Sequence, residues 1–211
     1  MIKDSILIRQ ATTNDVVEII NLFRSNYENG YYNKYFKSAE KLITLLEKQD
    51  FIGIVACYEN KIVGFSGMYI QEKNKFTEIY LAHFLVDKNY RNMGVGKFLE
   101  NYKSQIYKQY DNLTMIYSIL GLNSYASINI KKSFGFKFWG IRQFYGEWEP
   151  NQDNLGHLVV VGKILNEDTN IKEFSNLHTI TRILIKKCVK QCKFSNIDTK
   201  ENITDILYNC E

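Results

Sequence analysis

The order of strand-like and helix-like runs predicts an α/β fold, on three observations. An apolar, strand-like run, Thr77 to Val86, enters a short basic loop, Asp87 to Lys97, and a helix-like run, Phe98 to Tyr110, leaves it. Upstream, Phe51 to Tyr58 and Lys61 to Gln71 read as antiparallel strands joined by the tight turn Glu59-Asn60. The 211 residues, 45% hydrophobic and 24% charged, are long enough and apolar enough for one well-buried core with length to spare.

The remaining elements follow in order. Ile6-Leu7-Ile8-Arg9 reads as a short first strand. Thr12 and Asp15 read as a capping pair for a helix through Val16, Val17, Ile19, Ile20 and Phe23. The segment before the next helix is Tyr27-Glu28-Asn29-Gly30-Tyr31-Tyr32-Asn33-Lys34-Tyr35-Phe36, with four tyrosines and one phenylalanine in ten residues. Leu113 to Leu120 reads as a strand, Tyr125 to Ser133 as a helix, and Phe136 to Ile141 and Leu158 to Leu165 as final strands. Beyond them, Leu177, Ile180, Ile183, Leu184, Cys188 and Cys192 recur at helical spacing over 176–194, with Arg182, Lys186, Lys187 and Lys190 on the other side. Asp198-Thr199 offers a cap for a second short helix through Ile203, Ile206 and Leu207. The single proline and the absence of repeats or Ser/Gly-rich tracts argue against a long linker.

Composition excludes several classes. No run is long enough to span a membrane, and the charged start around Asp4 does not make a signal peptide, so a cytoplasmic location and no membrane partner are expected. Cys57, Cys188, Cys192 and Cys210 are too sparse for a disulfide framework. With only His83, His157 and His178 beside them, no metal site is expected. The net charge of +4 suits an anionic cofactor without demanding nucleic acid.

The chemistry concentrates at Val86-Asp87-Lys88-Asn89-Tyr90-Arg91-Asn92-Met93-Gly94-Val95-Gly96-Lys97. A strand feeding a basic loop that opens a helix can hold a pyrophosphate. The first helical N–H groups lack intrahelical partners, the helix dipole adds positive charge there, and glycines let an anion reach the backbone. The spacing is not that of a Walker A loop, since Gly94 and Gly96 stand two apart and Lys97 precedes Phe98. Nor is it a dinucleotide fingerprint, because position 99 is leucine.

Arg91-x-x-Gly94-x-Gly96, with Val86 five residues upstream, resembles the acetyl-CoA loop of the GNAT N-acetyltransferases. Ile62-Val63-Gly64-Phe65 resembles that family's entry into its third strand, and Gly135-Phe136 the pair that closes its second motif. The resemblance runs in order over roughly residues 5 to 165. It implies a mixed, mostly antiparallel sheet of six to seven strands flanked by helices, with a GNAT domain over 1–165 and a short helical extension over 166–211. It also implies acetyl-CoA as donor and no metal. The fourth and fifth strands would part so that pantetheine lies between them like an added strand. The backbone of Phe84 and Val86 would pair with the pantetheine amides, and an N–H near Leu85 or Val86 would face the thioester oxygen. Arg91, Asn92, Met93, Gly94, Val95, Gly96 and Lys97 would hold the pyrophosphate, and Asn123 and Ser127 would contact pantetheine.

For the general base, Glu78 is the only carboxylate on the fourth strand. Counting by twos from Val86 places Phe84, Ala82, Tyr80 and Glu78 on one face, and the family position lies nearer Tyr80. Strict alternation turns His83 the other way, as a core or surface histidine; a bulge would reverse that. Where the family commonly carries an acidic tyrosine four residues before Gly-Phe, this chain has Lys131. Tyr27, Tyr31 and Tyr32 are the candidate acceptor-binding residues, with aromatic walls suited to an amine. The expected reaction is direct transfer of acetyl to a primary amine of a small molecule. A non-catalytic acyl-CoA sensor or scaffold, a protein or peptide acetyltransferase, and a homodimer built on the C-terminal helices remain open alternatives, as does a surface-binding module using the basic helix.

Overall fold

The computed structural model describes residues 5–27, 31, 33–73, 76–121, 124–143 and 157–165. Among the described residues, seven strands and four helices run in the order β1 (Ile6–Gln10), α1 (Val16–Asn26), α2 (Ala39–Leu46), β2 (Phe51–Tyr58), β3 (Lys61–Lys73), β4 (Phe76–Val86), α3 (Val95–Tyr107), β5 (Leu113–Gly121), α4 (Tyr125–Ser133), β6 (Lys137–Gln143) and β7 (His157–Ile164). The strands form one sheet in the order β1-β2-β3-β4-β5-β7-β6. Among these described strands only β4 and β5 pair in parallel; every other neighbouring pair is antiparallel. This is the mixed α/β sheet expected from the sequence. The C-terminal helices expected over 176–194 and 199–207, and the extension 166–211 as a whole, lie outside the described residues. No helix among the described residues is long and apolar enough to cross a membrane.

Both faces of the sheet are covered, which is why β2 reads as the nearly continuous apolar run Phe-Ile-Gly-Ile-Val-Ala-Cys-Tyr. On one face, Phe23 of α1 and Leu42 and Leu45 of α2 bury Phe51, Val55, Phe65 and Leu85. On the other, Val95 and Leu99 of α3 and Ile128 of α4 bury Ile54, Met68, Ile79, Leu81 and Ile116. Cys57 belongs to the first core, paired opposite Leu7 near the β1 edge, where burial raises its thiol pKa.

The first helix is anchored as its capping pair suggests, with one addition. The Thr12 backbone N–H donates to Asp15 Oδ2 at 2.7 Å, and Arg9, from β1, grips both Asp15 oxygens at 2.7 Å. One carboxylate therefore ties the edge strand to the entry of α1 through a 3-10 turn over Thr13–Asp15. The Arg9 guanidinium holds the Asp15 carboxyl below its ordinary range. A carboxylate with a depressed folded-state pKa stabilises the fold above the unfolded-state value and loses that contribution as pH falls. Asp15→Asn is expected to cost roughly 1–2 kcal/mol at pH 7, allowing for the partial exposure of Arg9. In denaturant unfolding the gap between variant and wild type should close as pH drops below about 4.

Candidate functional site

The site begins where β4 and β5 part. Their parallel pairing runs from Thr77 opposite Leu113 to Leu81 opposite Ser118, and stops there. Each strand continues with its outer neighbour: β4 stays paired to β3 as far as Val86 opposite Gly64, and β5 to β7 as far as Gly121 opposite Leu158. The strands thus diverge rather than end. At the last pair, the buried Ser118 hydroxyl donates to the Leu81 carbonyl at 2.8 Å. Beyond it, the Asp87 N–H donates to the Val63 carbonyl at 2.9 Å. By antiparallel alternation Leu85 also turns its amide to β3, while Phe84 and Val86 aim theirs into the gap. An extended polyamide chain is the natural occupant of such an edge.

The loop after β4 is braced at both ends. The Asp87 carboxylate accepts from the Asn89 N–H at 2.9 Å and starts a 3-10 turn over Lys88–Tyr90. Asn26, at the end of α1, accepts from the Lys88 N–H at 3.0 Å and from Arg91 Nη2 at 3.4 Å. Arg91 Nε donates to the Val86 carbonyl at 3.2 Å, folding the loop back on the strand end. Asn92 and Gly94 carry positive φ angles of 63° and 88°. Gly94, in the left-handed region, caps α3, which starts at Val95 rather than at Phe98 as the sequence suggests. The earlier start has a packing cause. Val95 is buried in the core, and Gly96 lies so close beneath its neighbours that a Cβ there would sit 2.7 Å from Ile130 Cδ1 and 3.0 Å from Phe84 Cζ. Met93 packs at the rim of the same core, and Lys97 is exposed. The N–H groups of Val95, Gly96 and Lys97 have no carbonyl a turn earlier in the helix, so the first turn of α3 presents donors beside the gap. Ser127 lies half-buried in the first turn of α4; Asn123 is outside the described residues.

The opposite face of β4 carries the second feature. Pairing with β3 shifts register between Phe65 opposite Leu85 and Gly67 opposite Ala82, so Ser66 opposes both His83 and Phe84. This is a β-bulge, with His83 at φ 54°. The bulge corrects the strict alternation expected from the sequence. Phe84 and Val86 pack toward the α3 core, while His83 turns to the face of Tyr80. Gly67 makes the room: a Cβ there would sit 2.7 Å from the Phe51 ring and 3.3 Å from His83. His83 is 7% exposed. Its Nδ1 lies 3.1 Å from the Tyr31 hydroxyl and its Nε2 2.9 Å from the Tyr69 hydroxyl. Burial pulls the imidazole pKa down to about 4, so the ring is neutral near pH 7.

Tyr69, Tyr80 and Tyr117 stand in register across β3, β4 and β5, and their rings stack in sequence at 5.9 and 5.1 Å. All three are half-buried, forming an aromatic floor just before the strands part. Tyr27 and Tyr31 stand at one side: Tyr31 packs on Phe23 at 4.7 Å and on Tyr27 at 5.0 Å. Tyr32 lies outside the described residues, as does Glu28. Glu78 sits two residues before Tyr80, opposite Gln71 and Met115 in the fully paired part of β4. The structure therefore groups Tyr80, Tyr27 and Tyr31 with His83, and sets Glu78 ~7 Å further along the strand. No local pattern in the sequence marks Tyr69 and Tyr117; only the register brings them beside Tyr80.

Lys131 does not stand alone. Its Nζ lies 2.5 Å from Glu100 Oε1, which also receives Lys103 Nζ at 2.6 Å. All three side chains are at most 2% exposed, an ion cluster locking α4 to α3. The two ammonium groups hold Glu100 down to about 2 despite its burial. Burial, with the nearby Lys103 ammonium, pushes Lys131 down to about 7. A lysine with a lowered folded-state pKa carries fewer protons folded than unfolded between about 7 and 10.5, so stability rises with pH across that window. The rise should be absent in Lys131→Met melts. Glu100→Gln leaves two lysines buried around a neutral amide and is expected to cost roughly 3–5 kcal/mol in denaturant unfolding. In NMR titration the His83 ring protons should show no inflection between pH 5 and 8.

A family model described as the Acetyltransferase (GNAT) family matches residues 16–136, more than half of the chain. A probable spermine N(1)-acetyltransferase from Bacillus subtilis subsp. natto (strain BEST195) is 32% identical over 94 residues, 43% of this chain; the chain spans about 62% of that relative's length. Among solved structures, a GNAT-family acetyltransferase from Streptococcus pneumoniae superposes with a TM-score of 0.62 at 15% identity, covering 76% of this chain and 99% of that one. Arabidopsis thaliana NAA60 in complex with acetyl-CoA superposes with a TM-score of 0.63 at 15% identity, covering 76% and 99%. At these identities the structural likeness speaks to the fold, and the family model speaks to kinship. The chain belongs to the GNAT acetyltransferase family.

Proposed function

We propose that this chain transfers acetyl from acetyl-CoA to a primary amine of a small molecule by direct attack. The observation that carries the reading is the parting of β4 and β5 at Leu81 and Ser118, directly beside the glycine-bearing start of α3. The inward amides of Phe84 and Val86 suit the two amides of pantetheine. The pyrophosphate would rest on the loop from Arg91 to Lys97, with Ser127 and Asn123 against the pantetheine arm. The catalytic unit is residues 1–165, with 166–211 as an appended segment.

In this reading the amine approaches over the tyrosine face. The neutral nitrogen attacks the thioester carbonyl, the C–N bond forms, the C–S bond breaks, and CoA leaves as a thiolate that takes up a proton. Tyr27, Tyr31 and Tyr32 frame the acceptor, and Tyr80 lies under the attacking nitrogen. Glu78 is the carboxylate for a second cationic group ~7 Å away, a spacing that suits a polyamine. The spermine acetyltransferase kinship supports a small amine as acceptor. Cys57, in the core beside the β1 edge, is far from the gap, consistent with transfer that needs no covalent enzyme intermediate.

Calorimetry with acetyl-CoA, wild type beside Gly94→Trp, tests the donor. Gly94 at φ 88° tolerates no side chain without strain, and an indole there stands over the phosphate donors. The variant should bind at least ~10-fold more weakly while keeping a cooperative melt. Equal affinity for the two proteins would overturn the loop assignment. Thiol release from acetyl-CoA with spermidine, spermine, glucosamine, free amino acids and a short peptide then tests the acceptor. Binding without thiol release on any amine would identify a sensor instead.

A further inference from the structure

We infer that Tyr69, His83 and Tyr31 form a proton relay that carries the amine's proton away from the reaction centre. The inference rests on the acetyl-transfer reading above. It is drawn from four features of the structure. His83 sits on a bulge two residues past the last β4–β5 pair, beside the opening where the thioester would lie. Its backbone is held at φ 54°, the left-handed side of backbone space, which a non-glycine residue occupies at a cost. Both ring nitrogens are engaged by tyrosine hydroxyls, at 3.1 Å on Nδ1 and 2.9 Å on Nε2. Finally, Tyr69 is itself part of the aromatic floor, stacked on Tyr80 at 5.9 Å, whereas Tyr31 comes from the segment after α1 on the far side of the imidazole.

A neutral imidazole has one donor and one acceptor nitrogen, so one tyrosine donates to the ring and the other accepts from it. With the proton on Nδ1, Tyr69 donates to Nε2 and Nδ1 donates to Tyr31. As the C–N bond forms, the attacking nitrogen releases its proton to the Tyr69 oxygen. The Tyr69 proton moves to Nε2, the Nδ1 proton moves to the Tyr31 oxygen, and the Tyr31 proton departs to water. The thiolate takes its proton from solvent, so the sum is amine plus thioester to amide plus free thiol. The ring ends in its other tautomer without ever carrying net charge, and the reverse shift, with water giving a proton to Tyr31 and taking one from Tyr69, restores it before the next turnover. A histidine kept neutral by burial suits this transfer, because it conducts a proton by changing tautomer instead of storing one. A buried structural histidine needs the same two hydrogen bonds but not the exchange of protons between them.

His83→Gln separates the two roles. Glutamine can still accept on one side and donate on the other, but it does not exchange tautomers readily. Tyr69→Phe keeps the stacked ring and removes the hydroxyl, and serves as the second probe if His83→Gln does not fold. The assay is single-turnover acetyl transfer from acetyl-CoA to whichever panel amine releases thiol fastest, with acetyl-CoA affinity measured alongside. The relay predicts a transfer rate ~100-fold or more slower in both variants, within the usual range for lost proton transfer. Acetyl-CoA affinity should stay within about threefold. The wild-type rate in mixtures of light and heavy water should show a bowl-shaped proton inventory, from several protons in motion, that becomes linear in the variants. A folded His83→Gln or Tyr69→Phe within about threefold of the wild-type rate would overturn the relay and leave the acetyltransferase reading standing. Wild-type protein that releases no thiol on any amine would overturn that reading first, and the relay with it.

Discussion

The arrangement of the site depends on one constraint: the hydrogen-bonded ladder between β4 and β5 ends at Leu81 and Ser118 while both strands run on. A parallel pair has no intrinsic reason to stop, because its bonds are evenly spaced along the strands. Two local features bring it to an end. The Ser118 hydroxyl engages the Leu81 carbonyl at the last rung, and the bulge at His83 bends β4 immediately beyond it. Once the strands separate, the amides of Phe84 and Val86 face a gap, and the N-terminus of α3 stands at its mouth. Donor binding, in the proposed reaction, follows from that geometry more than from any single side chain.

The same bulge divides the chemistry between two faces. One extra residue in β4 reverses which way the side chains point, so Phe84 goes beneath α3 and packs against Gly96, while His83 goes to the tyrosine face. A strand without the bulge would place Phe84 with Tyr80 and turn His83 toward α3. Gly96 and Gly67 are the two places where the backbone yields room to these side chains, each because a Cβ would collide with a ring or methyl group within 3 Å. The α3 face and the tyrosine face are thereby packed independently on opposite surfaces of one strand.

The cluster of Glu100, Lys103 and Lys131 plays a different part. Charges taken wholly out of water are costly, and here one carboxylate is shared by two ammonium groups, with the second carboxylate oxygen, Glu100 Oε2, buried without a hydrogen-bond partner. Such a cluster adds little stability over a well-packed apolar contact, but it admits one arrangement of α3 against α4. That fixes the helix carrying Ser127 relative to the helix that opens at Gly94. The lysine that stands in place of a family tyrosine is thus explained by packing between helices.

Much of this was legible in the chain. The strand entering a glycine-bearing loop that opens a helix, the hairpin turn at Glu59-Asn60, and the cap formed by Thr12 and Asp15 all depend on residues close in sequence. Local periodicity and backbone preferences encode them, and each element lies near its expected place. What sequence alone could not decide is what lies beside what. The start of α3 at Val95 reflects burial of Val95 and Gly96 against strands and α4. The row Tyr69-Tyr80-Tyr117 exists only because three strands share a register, the partners of Lys131 come from a helix about thirty residues earlier, and His83 changes face because of one unpaired residue. A bulge shifts every later side chain without leaving any mark in the apolar pattern, since both faces of this sheet are buried. Sequence by itself therefore determined the elements and the glycine-bearing loop that opens α3, whereas the bulge, the tyrosine row and the buried ion cluster were decided by tertiary structure, because register and non-local contact are set only when the strands pair.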